Sequence, residues 1–265
     1  MKHTIDPVVL EKRDELYHLK YGIYGKEMYS LLEDEVHQSD ANIKRYLTAS
    51  NGKFKPVYVQ VHVKGLTATS YYKWQSTAMK DVAIGTKKKR DELIQKVMLP
   101  SHPEHYMLKF SGLIPGLIET LGGLPTNACV AIKKKTPQFV SDIADETYPH
   151  KSHPNVLLHD KTLWSYGLTE YRDTKDGADF KLRVWWPAAC PDLYFEDHNR
   201  HFSVEYRNFI HMAYDALQGT KAILGDLEIT FDTMFGTIDE DQVDQWESMA
   251  ADRALNNLHT LMAKK

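Results

Sequence analysis

A chain of 265 residues, 42% of them hydrophobic, has ample material for a sizeable core, whether as one large domain or two small ones. Its 33 lysines and arginines nearly balance 36 aspartates and glutamates, and the formal net charge of −3 excludes the strong basic field that recruits nucleic acid or an anionic membrane. Two cysteines, Cys129 and Cys190, both among apolar neighbours, support neither a disulfide framework nor a thiolate zinc site. No window approaches the roughly 20 apolar residues of a membrane span, and the N-terminal stretch lacks the apolar run of a secretion signal. The expectation is a cytoplasmic protein whose partner is a small or neutral molecule. The 15 tyrosines and 5 tryptophans suit a cavity for an aromatic ligand, and equally an ordinary large core.

In chain order, residues 6–50 read as helical: Pro7 follows Asp6 at a start, Gly22 and Gly25 interrupt, and a second helix runs from Lys26 to Val36. After the turn at 50–53, Val57, Val59, Val61 and Val63 alternate with Tyr58, Gln60 and His62, a strand whose polar face lines a ligand cavity or faces solvent. TATSYYKWQSTAM follows as a short aromatic-rich helix. The basic run Lys87–Arg90 reads as a solvated face, since no aromatic stacking platform accompanies it. His102, Glu104 and His105 then form a compact group of candidate ligands beside Pro103. The glycine- and proline-punctuated SGLIPGLIETLGGLP reads as a loop or lid over a pocket.

Asn127 to Ile132 is a plausible strand, broken by KKKTPQF, and the polar stretch beyond it, with Glu146, His150 and His153, reads as a loop. Leu157–Tyr171 and Asp179–Trp186 form a hairpin around Asp176-Gly177, with Phe180, Leu182, Val184 and Trp186 on one face. His198–Gln218 is an amphipathic helix. Phe202, Tyr206, Phe209, Ile210, Ala213, Tyr214 and Leu217 share its buried arc, and His201 and Glu205 lie one turn apart at the border. Such a pair can grip one ion, or be an ordinary helix-edge pair. Leu227–Phe231 is a further strand, and the acidic segment from Thr237 ends the chain as a helix.

These pieces assemble into an α+β fold in which a curved antiparallel sheet wraps a long late helix, the helix-grip arrangement, as one domain with an N-terminal helical segment (1–50) and a C-terminal extension (225–265). Between Gly65 and Gln218, the ordered segments GLTATSYYKWQ, LPSHPEHY, DGADFKLRVWWP and HFSVE resemble the diacetylphloroglucinol hydrolase and phloretin hydrolase family, whose members place a zinc site in a Bet v 1-like cavity. The resemblance implies His105, His201 and Glu205 as zinc ligands, and a further glutamate between the two histidine segments: Glu146 first, Glu119 behind it. The tail after Gly225 has no counterpart in the family. Two histidines and one or two carboxylates leave a position for water or substrate oxygen, and admit Fe2+ or Mn2+ as well as Zn2+. The implied activity is hydrolysis of the carbon–carbon bond between an acyl group and a phenolic ring, with His62 or Tyr58 as the group that protonates the ring carbon. The competing readings are a non-enzymatic binder of an aromatic or apolar small molecule and a different metal-dependent enzyme on the same scaffold. Further copies of the chain are admitted as partners.

Overall fold

The computed structural model describes residues 4–132 and 136–264. In chain order the elements are α1 (Pro7–Gly22), α2 (Lys26–Ser50), β1 (Phe54–Leu66), α3 (Ala68–Ile84), α4 (Lys87–Leu93), which runs into one wide π turn at Ile94–Met98, β2 (His105–Leu108), β3 (Gly116–Leu121), β4 (Leu124–Ile132), the short α5 (Gln138–Ser141), β5 (His150–Ser152), β6 (Pro154–Leu157), β7 (Leu163–Asp173), β8 (Gly177–Pro187), α6 (Asp192–Ala216), β9 (Ile223–Thr233), β10 (Gly236–Asp239) and α7 (Glu240–Ala263). The strands form one antiparallel sheet in the order β10-β9-β1-β8-β7-β6-β4-β3-β2, with β5 paired to β7. No described helix is long and apolar enough to cross a membrane.

Alternation along β1 decides which face is the core. Val57, Val59, Val61 and Val63 are buried, and the last three pack with Phe180 and Leu182 of β8 and with Tyr206, Phe209, Ile210 and Ala213 of α6. The predicted hairpin face and the predicted helix arc therefore meet. Helix α6 touches β9, β1 and β8, and also β3 near the far end of the sheet, a reach compatible with a curved sheet. Gly177 is required where the β7–β8 turn passes β1, because a Cβ there would lie 1.9 Å from the carbonyl oxygen of Val63.

Several sequence expectations change. The second helix continues past Val36 to Ser50, since Ser39 and Ile43 also lie in the interior. The expected lid is the β3–β4 hairpin, turned at Gly122-Gly123, both of positive φ. The lysine run 133–135, read as a strand break, lies outside the described residues. The segment from residue 225 is integral to the sheet: β9 pairs with β1, and α7 packs on α6 and α1. Tyr58 and His62 lie on the face of β1 opposite α6. There Tyr58 stacks beneath Arg183, and His62 bridges Asp179 (2.8 Å) and Asp232 (3.1 Å).

Helix α6 is buried on its far side as well. The Arg207 guanidinium, fully buried, bonds Asp244 at 2.5 Å and also Glu247 of α7, while Arg13 of α1 grips Glu247 with two bonds of 2.6 and 2.7 Å. Arg207→Ala leaves buried carboxylates facing one another, and urea unfolding is expected to show a loss of about 3–5 kcal/mol.

On the outer face, burial opposes a charged His62, but its bonds to Asp179 and Asp232 outweigh it and raise the pKa. The link therefore stabilises the fold below the ordinary histidine value of about 6.5 and fades as pH rises through the raised folded value. Denaturation of His62→Ala against wild type should show a gap at about pH 5.5 that closes by about pH 9; an equal gap at both would contradict the link.

Candidate metal centre

Three segments distant in sequence converge at one end of the inner face. The turn after the π segment delivers His102, and β2 begins at His105. β3, in antiparallel register with β2, sets Glu119 opposite His105. Helix α6 brings His201 and, one turn on, Glu205. His102, His105 and His201 are all buried, and one nitrogen from each lies within 4.8 Å of the others, so the group could hold a metal ion.

Hydrogen bonding separates their roles. His105 Nδ1 sits 2.8 Å from the carbonyl oxygen of Met98, which can only accept, so the proton is on Nδ1 and Nε2 presents a lone pair. That Nε2 lies 3.1 Å from His201 Nε2 and 3.4 Å from Glu119 Oε2, and the same carboxylate oxygen is 3.1 Å from His201 Nε2. Glu205 Oε1 is 3.9 Å from His105 Nε2. A lone pair and a carboxylate aimed at one point require a positive centre between them, either a proton on His201 or a cation, and the donor set passes that test for a divalent ion.

His102 behaves differently. Its Nδ1 accepts the backbone N–H of Glu104 at 3.1 Å, which leaves the proton of the neutral ring on Nε2. Its ring stacks on His201 at 3.7 Å between centroids. The stack orients the His201 ring, and with Nδ1 so engaged only Nε2 of His102 could turn to an ion, on giving up its proton.

The electrostatics follow from burial. Desolvation opposes ionisation of Glu119, yet the imidazoles of His105 and His201 beside it hold its carboxyl well below the usual range. Glu205 has no such direct bond. Burial pushes it up to about 7, His105 pulls the other way and Glu119 adds to the rise. Burial, with His201 and His105 adding to it, keeps His102 well below the ordinary histidine value. Burial likewise pushes His198, one turn before His201 and packed edge-on against Trp186, down to about 3. The side chains of Glu119 and Glu205 are 13% and 15% exposed against 0% and 5% for His105 and His201, so the cluster opens on its carboxylate side.

The implied ligands His105, His201 and Glu205 are thus brought together, and the glutamate that joins them is Glu119. Glu146 is exposed in the segment that crosses the outer face, where neighbouring Asp145 pairs with Lys181. Tyr58 and His62, offered as proton donors, have the sheet between them and the cluster. Glu104, adjacent to the histidines in sequence, turns away to Arg253 at 2.7 Å. On the Glu205 side lie the hydroxyls of Tyr71, Tyr171 and Tyr206; Tyr171 donates to Gln75 at 2.9 Å and meets Tyr206 at 3.3 Å. A cavity of about 90 Å3 between α1 and the 95–103 segment reaches the back of His102 and Lys20.

No protein-family model matches the chain, and no curated protein matches it.

The tautomers are directly measurable. Nitrogen-detected NMR of metal-free protein is expected to show His102 protonated at Nε2 and His105 at Nδ1; the reverse assignment would remove the distinction between stacking ring and ligand.

Proposed function

We propose that this chain is a helix-grip, metal-dependent hydrolase that cleaves the carbon–carbon bond between an acyl group and a phenolic ring. The observation that carries the reading is the convergence of His105 Nε2, His201 Nε2 and Glu119 Oε2 at 3.1–3.4 Å, with Glu205 alongside. Those four residues would hold the ion, with His102 as the stacked support. Zn2+ is the ion the family resemblance implies, and two imidazoles with two carboxylates also suit Fe2+ or Mn2+. A divalent ion bound there would supply Lewis acidity towards an acyl carbonyl oxygen and lower the pKa of water.

The protein's own part is positioning. The Met98 carbonyl and the His102 ring fix the two imidazoles, and a ligand would reach the centre from the side where Glu119 and Glu205 are partly exposed. Beyond Glu205, Tyr71, Tyr171 and Phe180 pack ring on ring, which supports an aromatic ligand at this end; the tyrosine hydroxyls would hold its ring hydroxyls while the rings exclude water. The net reaction adds water across the bond: hydroxyl to the acyl carbon, giving a carboxylic acid, and hydrogen to the ring carbon, giving the free phenol.

Metal-replete protein is expected to carry about one ion per chain and to release acid and phenol from an acylated trihydroxybenzene; His201→Ala and Glu205→Ala should lose the ion and roughly 100-fold or more of turnover. Elemental analysis with chromatography of the products decides it. Protein without stoichiometric metal that still binds the aromatic compound in calorimetry would be a carrier, and the hydrolase reading would fall.

A further inference from the structure

The groups that hold the His102–His105 segment come from outside the sheet and its strands. Lys20 of α1 is 3% exposed, and its ammonium donates to the carbonyl oxygen of His105 at 2.7 Å and to that of Pro103. A buried lysine normally finds a carboxylate. Here the nearby carboxylate, Glu104, is taken by Arg253, and the ammonium is spent on the backbone of the ligand-bearing turn.

From the other direction, Asn208 of α6 donates through Nδ2 to the carbonyl oxygen of Ser101 at 3.0 Å. Its orientation is forced. Arg13 Nη2 and Arg207 Nε, which can only donate, reach its Oδ1 at 2.7 and 2.9 Å, so the amide nitrogen must face Ser101. Ser101 Oγ donates to the carbonyl oxygen of Met98 at 2.8 Å and lies 3.1 Å from His105 Nδ1, so it shares with Met98 the proton that fixes the His105 tautomer. Asn208 follows Glu205 by three residues on the same helix. The turn carrying one histidine is therefore keyed to the helix carrying His201 and Glu205.

We propose that Lys20 and Asn208 are positioning residues for the metal centre, holding the 101–105 turn so that His105 Nε2 is aimed at His201 and Glu119 before an ion arrives. This rests on the metal-centre reading above. The consequence is that α1 and α7, which lie outside the sheet and supply no ligand, set the affinity of the site: α1 directly through Lys20, and both through the Arg13–Glu247–Arg207 network that orients Asn208.

The test is competition of the full chain against a chromophoric chelator for Zn2+, with the visible spectrum of the Co2+ form recorded in parallel. Lys20→Met and Asn208→Ala are expected to weaken binding by about 10–100-fold and to shift the Co2+ bands, at a temperature where circular dichroism shows the metal-free variants folded. Ser101→Ala, which deletes a single hydroxyl, should give a smaller loss in the same direction and decides the matter if either other variant fails to fold. Folded variants that bind Zn2+ as tightly as wild type, with unchanged Co2+ bands, overturn the positioning role while leaving the metal centre intact. Wild-type protein that binds neither ion overturns the metal centre, and the positioning role with it.

Discussion

Arg207 has no route to water, and its charge is met by Asp244 and Glu247 on a helix that begins 33 residues later. That requirement fixes how α6 lies. Two residues along a helix turn the side chain by roughly 200°, so holding Arg207 against α7 sends Glu205 to the other side. The sheet makes a matching demand from below, where Tyr206, Phe209, Ile210 and Ala213 fill the inner face. A helix gripped from both sides has little freedom to rotate or slide, and so His201 and Glu205 are held against β3 with small tolerance.

The same logic explains why a cluster of imidazoles and carboxylates persists in a buried place. Each group is costly there unless its polar atoms are satisfied. His105 is satisfied behind by Met98 and Ser101, His102 by the Glu104 amide, and Glu119 by His201. What is left over is a convergent set of lone pairs, the arrangement a cation completes.

Most of the scaffold was legible because its signals are local. Alternation in β1 and β8 and the apolar arc of α6 each report a buried face directly, and the three faces do pack together. The site was half legible. His201 and Glu205 stood out by spacing and the resemblance added His105, but it ranked Glu146 ahead of Glu119, which lies in the stretch read as a loop or lid. The Gly122-Gly123 turn is the hairpin signal in that stretch, and only strand register places Glu119 opposite His105. Tyr58 and His62 were misplaced for the converse reason: a polar strand face reads alike whether it lines a cavity or meets the outer network of Asp179, Arg183 and Asp232. Arg207, Lys20 and Asn208 carried no sequence signal, because what makes them important is a partner more than 35 residues away.

As proposed, the centre holds one cation between two imidazoles and two carboxylates. X-ray absorption at the zinc edge of the loaded protein tests it most directly. The predicted spectrum has nitrogen and oxygen neighbours at about 2.0–2.2 Å with scattering from two imidazole rings and no sulfur. Three ring contributions would make His102 a ligand, and a shell of water oxygens without imidazole scattering would contradict the account altogether.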